Sequence, residues 1–380
     1  MDADREARTA APPALIAPLA DGPLDIVGDV HGEIDALTDL LAALGYDLDG
    51  AHPDGRRLVF VGDLVDRGPS SPAVLRRVQR LVMSGHAQCI LGNHELNLLR
   101  DVERHGNGWW VTPDEPPANT DPVDTQEKRE FRAFLETLPL VLERTDLRVV
   151  HACWQNDAIA ELRRRGDRPV LEVYHDFIDG MRESWRSSGL ADAYRDEWRE
   201  YGAQLRDRDR PPPLLEAMAR MDADHQMANP VALLTSGAEQ PTAAPLWAGG
   251  KWRMVERIKW WESYRDAVPV ICGHYWRRYS AVSKEMMDSY GPDLFAGVEP
   301  HQWMGARNNV YCVDFSVGGR YLEREEGRQP FQCKLAALRV PEWQLVQDDG
   351  EAWEIGPPGA VNGEASADTK APRERRKRSV

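Results

Sequence analysis

Short apolar runs alternate with helix-like stretches over the first third of the chain. The runs suited to buried strands are residues 25–28, 58–61, 89–91, 147–150, 268–272 and 310–313. Between the first three runs, at 33–44 and 72–83, apolar residues recur every three or four positions, which is the spacing of an amphipathic helix. This alternation predicts an α/β fold with helices on the outer faces of the sheet.

Both ends of the chain differ in composition from its body. Residues 1–22 and 356–380 are rich in Ala, Pro, Gly and charge, and we predict disordered tails there. Residues 370–380 hold six cations against Glu374, so that end is locally basic. A solvated tail is our interpretation, with contact to nucleic acid or a membrane surface as the alternative. The segment 23–355 is then predicted to form one domain.

The chain as a whole is acidic. Its 47 Lys and Arg residues against 62 Asp and Glu give a formal charge of −15, which disfavours a general nucleic-acid-coating role. The five cysteines lie far apart without a CxxC pair, a pattern typical of a reduced protein. Neither a cationic signal segment nor a membrane-length apolar run is evident. We therefore expect a cytoplasmic protein without a membrane partner.

Polar clusters stand directly after five of the apolar runs. They are Gly28-Asp29-Val30-His31-Gly32, Gly62-Asp63-Leu64-Val65-Asp66-Arg67-Gly68, Gly92-Asn93-His94-Glu95, His151-Ala152 and Gly273-His274. Ligands of α/β folds bind outside the carboxyl ends of the strands, so these side chains are expected to converge. Oxygen and imidazole ligands without thiolate suit Mn, Fe, Zn or Mg. Six such groups exceed the needs of one tetrahedral ion, which favours a two-metal site with a bridging carboxylate.

The first three clusters, in this order and with Asp29, Asp63 and Asn93 spaced by 34 and 30 residues, resemble those of the calcineurin-like metallophosphoesterases. Within them, the chain is similar to the phosphoprotein phosphatase superfamily, which includes Ser/Thr protein phosphatases and bacterial dinucleoside tetraphosphatases. The resemblance implies a metallophosphoesterase-type β-sandwich flanked by helices in four layers. It also implies two divalent metal ions, with Mn²⁺ the first choice and Fe, Zn or Mg as alternatives.

Carried over to this sequence, the resemblance assigns a role to each polar side chain. Asp29 and His31 are the ligands of the first metal, Asp63 is the bridge, and Asn93, His151 and His274 are the ligands of the second. Arg67, with Asn93 and His94, binds the substrate phosphate, and the fork of an arginine suits two phosphate oxygens at once. Asp66 and His94 form a general-acid dyad that protonates the leaving group.

An inserted segment separates the last two histidines. We predict a mostly helical cap at about residues 155–266, and seven of the chain's thirteen tryptophans lie within 152–273. Packing of the cap and stacking on a base or peptide are alternative uses for those rings. Arg253, which follows a Gly-Gly pair, is our candidate for a further phosphate-contacting arginine, ahead of Lys251 and Arg265.

The resemblance implies a metal-dependent phosphatase, but its motifs are mixed. Asp66 and Glu95 resemble protein phosphatases, whereas the His-Ala pair at 151 and the Gly-His pair at 273 resemble tetraphosphatases. The leading expectation is a serine/threonine-phosphatase-like enzyme that hydrolyses phosphomonoesters by direct attack of a metal-bound water or hydroxide. A dinucleoside polyphosphate hydrolase is the enzymatic alternative, and a module that senses nucleotides or recruits nucleic acid is the non-enzymatic one. The expected partner is a phosphoprotein, a small phosphoester or a nucleotide.

Overall fold

The computed structural model describes residues 14–104, 106–112, 123–280 and 282–359. The strands are β1 (Ile16–Pro18), β2 (Leu24–Val27), β3 (Arg57–Phe60), β4 (Ala87–Cys89), β5 (Val141–Arg144), β6 (Leu147–Val150), β7 (Glu239–Ala248), β8 (Lys251–Arg257), β9 (Val270–Cys272), β10 (Val310–Cys312), β11 (Ala336–Val340), β12 (Gln344–Gln347) and β13 (Ala352–Glu354). The helices are α1 (Ile34–Leu44), α2 (Ser71–Met83), α3 (Asn93–Leu99), α4 (Gly108–Val111), α5 (Thr125–Leu135), α6 (Asn156–Arg165), α7 (Val170–Ser187), α8 (Leu190–Tyr201), α9 (Glu216–Met227), α10 (Pro230–Ser236), α11 (Lys284–Tyr290) and α12 (Arg320–Glu325).

Two sheets pack face to face. One has the strand order β1-β5-β6-β9-β10 and the other β13-β12-β11-β2-β3-β4. Their inner faces share a core to which Ile26 and Val59 contribute from one sheet and Val149 and Ile271 from the other. Side chains alternate between the two faces of a strand, so the next residue after Val59, Phe60, points to the outer face. There it packs against the apolar side chains of the helices. The predicted four-layer α/β sandwich is confirmed.

The parallel strands end together at one edge of the sandwich. In one sheet Val27 pairs with Phe60, and Phe60 pairs with Cys89 in turn. In the other, Ile271 pairs with Val149 and with Tyr311. Helices α1 and α2 make the crossovers of the first sheet, and their apolar faces are the ones that the sequence spacing predicts. The loops after β2, β3, β4, β6 and β9 consequently open onto the same region.

The tail predicted for residues 1–22 was wrong for its last part. Strand β1 extends the sheet by pairing in parallel with β5, and Leu15 and Leu19 on either side of it are buried. Three prolines in this stretch favoured a tail, but Pro18 lies in an edge strand, where a missing N–H is tolerated. At the other end, Gly359 N–H donates to Asn308 O at 2.7 Å, so residues 356–359 still contact the domain. Residues 1–13 and 360–380, including the basic end, lie outside the described residues.

The segment between β6 and β9 holds five helices, α6 to α10, as expected of a mostly helical cap. It also holds the antiparallel hairpin β7–β8, which was not predicted. The turn of this hairpin is Gly249-Gly250, and both glycines have positive φ, at 61° and 75°. No helix in the part of the chain that the structure describes is long and apolar enough to cross a membrane.

Candidate metal centre

The loops at the shared edge of the two sheets bring together all six predicted metal ligands. Asp29 and His31 follow β2, Asp63 follows β3, Asn93 opens α3 after β4, His151 follows β6 and His274 follows β9. All five of the Asp and His side chains are buried. Possible ligand atoms lie within 4.8 Å of one another in two groups that share Asp63, one with His31 and His94 and the other with His151 and His274. Asp29 is in neither group, but its Oδ2 lies 3.9 Å from His31 Nε2. The shared position of Asp63 is the one that a bridging carboxylate requires.

Backbone carbonyls orient two of the histidines. His31 Nδ1 lies 3.0 Å from Val65 O, and His151 Nδ1 lies 2.7 Å from Val61 O. Because a carbonyl only accepts, each Nδ1 carries the proton and each Nε2 presents its lone pair to the centre. His31 Nε2 lies 3.8 Å from Asp63 Oδ2, and His151 Nε2 lies 3.4 Å from Asp63 Oδ1. Both rings are therefore set as ligands through Nε2.

The contacts of the Asn93 side-chain amide indicate whether this cluster fits a cation. Its Oδ1 lies 2.9 Å from His274 Nδ1 and 3.3 Å from His151 Nε2, so the oxygen faces acceptor atoms. Without a cation, the amide suits this environment only when its nitrogen is turned inward, where it would donate to His274 Nδ1 and Asp63 Oδ2. A divalent cation between the three groups satisfies the same lone pairs with the oxygen inward. The donor set, all oxygen and nitrogen, fits Mn, Fe, Zn or Mg.

The pKa shifts divide the three predicted ligand histidines, because burial is outweighed at His151, where the charge of Asp63 raises the pKa. Burial lowers the pKa of His31 and of His274 well below the usual range, so both imidazoles are neutral, as metal binding requires. Burial, and then repulsion from Asp314 and Asp63, raises the pKa of Asp29. Buried carboxylates that repel one another are stabilised by a positive ion between them.

The backbone of the ligand loops is strained. Left-handed φ angles occur at His31 (46°), Asp63 (49°), Asp66 (72°), Arg67 (71°) and His274 (73°). Each such residue costs about 1–3 kcal/mol, and residues of this kind cluster at functional sites. Glycines permit the close packing of these loops, since a Cβ on Gly273 would lie 2.1 Å from Asp29 Oδ1.

The predicted dyad is assembled beside the ligands. Asp66 Oδ2 lies 2.5 Å from His94 Nδ1. The other carboxylate oxygen accepts the indole N–H of Trp109 at 2.9 Å, and Ser71 Oγ accepts the Asp66 N–H at 2.8 Å. Nδ1 of His94 is thus committed to Asp66, which leaves Nε2 for proton transfer to a substrate oxygen. His94 also lies near His31 and Asp63, so its position suits either an acid or a ligand.

Arg67 contacts the cluster of predicted ligands through His31. Its guanidinium donates to His31 Nε2 at 2.7 Å and lies 4.5 Å from the ring centroid of Trp276. The lone pair that Arg67 occupies is the one that a metal would take, so a bound ion releases the guanidinium toward other acceptors. A planar cation next to a metal site is suited to grip a phosphate.

Comparison with known proteins identifies the family. The family model of calcineurin-like phosphoesterases matches residues 22–215, about half of the chain. The chain belongs to the calcineurin-like phosphoesterases. Membership makes it a hydrolase of phosphoester bonds that uses divalent metal ions, which confirms the resemblance seen in the motifs. The match ends before His274, so it does not cover that predicted ligand.

Curated relatives within this family carry a more specific name. The chain is 34% identical over 190 residues to the asymmetrical bis(5'-nucleosyl)-tetraphosphatase PrpE of Halalkalibacterium halodurans, covering 46% of this chain and 74% of that protein. For the protein of the same name from Oceanobacillus iheyensis, identity is 32% over 47% of this chain and 76% of the relative. A solved cold-active protein-tyrosine phosphatase of a psychrophile Shewanella gives a TM-score of 0.45 at 16% identity, covering 90% of this chain and 82% of that one. A likeness at that level carries no argument about activity.

Three further residues lie near the metal centre, and the sequence did not predict a role there for any of them. Glu95 accepts the N–H groups of Gly92, Asp63 and Leu64 and thereby fixes the Asp63 loop. Burial, and then Asp63, raises the pKa of Glu95 to about 7. Asp314, after β10, is buried and accepts the backbone N–H of Trp276 at 2.7 Å. Neither Asp314 nor Trp276 stands in a motif that the sequence singled out.

The arginine proposed in the cap bonds within its own hairpin, whereas a neighbouring arginine lies beside Tyr275, the residue after His274. Arg253 Nε donates to Ala248 O in its own hairpin at 3.2 Å. Arg257, four residues on, lies 5.8 Å from the Tyr275 ring centroid, and after burial its charge is the next largest cause that lowers the pKa of His274. The sequence offered no reason to prefer Arg257, because the placement depends on how the hairpin docks. Arg265 donates to Glu262 O and Tyr264 O.

Proposed function

We propose that this phosphoesterase hydrolyses dinucleoside polyphosphates at a two-metal centre. The convergence of acceptor atoms on Asp63, which both ligand groups share, carries the catalytic part of the proposal. The substrate class is supported by the relatives that are named bis(5'-nucleosyl)-tetraphosphatases. This choice reverses the order expected from the sequence, where a protein-phosphatase-like activity came first.

Six side chains would hold the two ions. Asp29 and His31 would bind one, Asn93, His151 and His274 the other, and Asp63 both. When bound, the ions supply Lewis-acid polarisation of the phosphoryl group and activate water for an in-line displacement. The carbonyls of Val65 and Val61 keep His31 and His151 in the tautomer that binds through Nε2.

The remaining side chains act on the substrate. Arg67 would contact oxygens of the reacting phosphate, and Arg257 would contribute positive charge from the cap. Asp66 holds Nδ1 of His94 and orients the ring, so that His94 would donate a proton from Nε2 to the leaving oxygen. Trp109 keeps Asp66 in place through the indole N–H. Each of these roles is assigned to a side chain that lies beside the ligand cluster or contacts a residue that does.

The Asp66–His94 pair favours a second candidate, hydrolysis of phosphomonoesters such as phosphopeptides. An alkoxide leaving group needs a proton, whereas the nucleotide that leaves from a phosphoanhydride is already a good leaving group. A strong general acid is therefore of more use to a phosphomonoesterase.

Product analysis separates the two candidates. Metal-reconstituted protein is incubated with diadenosine tetraphosphate or with a phosphoserine peptide, and the products are resolved by anion-exchange chromatography. We expect nucleotides from the tetraphosphate, with ATP and AMP indicating asymmetrical cleavage and ADP alone indicating symmetrical cleavage. Release of phosphate from the peptide without any nucleotide from the tetraphosphate would contradict the proposal and favour the second candidate.

A further inference from the structure

The cations in and around the cap differ in whether a carboxylate pairs with them. Every arginine of helices α6 to α9 has a carboxylate within 4.0 Å; these are Arg163, Arg164, Arg165, Arg182, Arg186, Arg195, Arg199 and Arg220. By contrast, no ion pair among the described residues involves Arg100, Arg104, Lys251 or Arg253, which we call the inner cationic cluster. A chain of net charge −15 leaves these four cations unneutralised.

Two members of the inner cationic cluster come from the loop beside the metal centre. Arg100 directly follows α3, the helix that opens with Asn93 and His94, and its guanidinium stacks 4.3 Å from the ring centroid of Tyr174 in α7. Its guanidinium makes no hydrogen bond within the described part of the chain. The loop of Arg104 packs on the centre, since a Cβ on Gly106 would lie 2.8 Å from Arg67 N. These two arginines therefore stand between the centre and the cap.

The other two members lie on β8, in line with Arg257. Side chains alternate along a strand, so Lys251, Arg253 and Arg257 share one face. The buried Val255 lies on this face between Arg253 and Arg257, and the opposite face packs Met254 against Leu205 and its neighbours. Arg257 is at the end of β8 next to Tyr275, and Arg253 lies roughly 13 Å back along the strand. The row of cations thus leads away from the metal centre.

Like charges crowd one another in this region. Partial desolvation, followed by the charge of Arg253, lowers the pKa of Lys251, with Arg104 and Arg206 adding to the effect. Asp222 faces Lys251 and Arg253 and counteracts part of this, although desolvation raises its own pKa. Lys251 and the neighbouring arginines repel one another, Asp222 offsets only part of this repulsion, and a bound polyanion would relieve the rest.

We propose that the inner cationic cluster is an oligophosphate subsite, which holds the non-reacting phosphates of a nucleoside polyphosphate while the reacting phosphate lies at the metal centre. The identity of the natural ligand rests on the proposed function above, but the preference for a chain of phosphates over a single phosphate does not. Such a subsite distinguishes long polyphosphates from phosphomonoesters by the number of cations that each engages.

The test compares two inhibitors of p-nitrophenyl phosphate hydrolysis, inorganic tripolyphosphate and orthophosphate. Three metal-reconstituted proteins are used, with metal in excess over phosphate: wild type, the double variant Arg104→Gln/Lys251→Gln, and the control double variant Arg195→Gln/Arg199→Gln from the paired exterior. We expect the first double variant to weaken tripolyphosphate inhibition about tenfold more than orthophosphate inhibition. The control should retain both inhibition constants. Circular dichroism melting confirms that each protein is folded.

Equal losses for the two inhibitors, or no loss for either, would overturn the subsite. A Lys251→Glu variant should weaken tripolyphosphate further than Lys251→Gln, and the reverse order would also count against it. In parallel, KM for diadenosine tetraphosphate should rise about tenfold in the double variant. If wild type releases no nucleotide from the tetraphosphate, the proposed function fails, yet the tripolyphosphate comparison still decides whether the subsite exists.

Discussion

The loops of the metal centre and the outer helices of the cap are built in opposite ways. In the loops, Asp29, Asp63 and the ligand histidines are buried, and several residues take strained backbone angles that neighbouring hydrogen bonds hold in place. On the outer helices, exposed pairs such as Arg199–Asp196 lie one turn apart and contribute little to stability. We therefore expect function to depend on individual atoms in the first region and to tolerate the loss of single charges in the second.

The largest expected effect lies in the loops. Asp63→Asn keeps the shape and the acceptor for the His94 N–H, but it removes the charge shared by both ligand groups. Turnover of p-nitrophenyl phosphate should become undetectable while the circular dichroism spectrum stays native. Retained turnover in a folded protein would rule out the bridging role.

Removal of the proposed acid should depend on the leaving group. His94→Ala is expected to lower kcat on an alkyl phosphate by roughly 10²–10⁴-fold, with a smaller loss on p-nitrophenyl phosphate, whose leaving group needs no proton. Steady-state kinetics on the two substrates measure the difference. Equal losses on both substrates would instead favour His94 as a metal ligand.

A smaller effect is expected for Trp109, which acts on His94 only through its hydrogen bond to Asp66. Trp109→Phe removes the N–H that Asp66 Oδ1 accepts, and a hydrogen bond to a charged group contributes about 1.5–3 kcal/mol, or roughly a 10- to 100-fold loss of kcat on the alkyl phosphate. Trp110→Phe is the matched control, because Trp110 is equally buried but donates to Leu98 O. Similar losses of thermal stability but unequal losses of kcat are predicted. If both variants lose kcat equally, Trp109 acts only through packing.

The smallest effect is expected for two arginines of the cap, Arg257 beside the metal centre and Arg199 on an outer helix. Arg257→Gln should raise KM for a phosphate substrate about tenfold, because Arg257 is the cap cation beside His274. Arg199→Gln, which removes an exposed and paired cation, should change neither kinetics nor stability by more than about 0.5 kcal/mol. A larger kinetic effect at Arg199 than at Arg257 would invalidate the division of the cap into an inner and an outer surface.

The two regions also differ in how far the sequence predicted them. The ligand motifs are local, since each stands within a few residues of a strand end, and the structure brings all six side chains together. Contacts between residues far apart in the sequence were not predicted. An example is the hydrogen bond between Trp109 and Asp66, which are 43 residues apart. Hairpin docking decided between Arg253 and Arg257, and a proline-rich edge strand was taken for a tail. The substrate stays a proposal, because Asp66 and Glu95 resemble protein phosphatases whereas the relatives are named tetraphosphatases.

Metal content is the most direct test of the two-metal centre. Metal-free protein is dialysed to equilibrium against Mn²⁺, and bound metal per chain is measured by elemental analysis for wild type and Asp63→Asn. The shared position of Asp63 predicts two ions per wild-type chain and at most one in the variant. A single ion in wild type, or an unchanged stoichiometry in Asp63→Asn, would contradict the account.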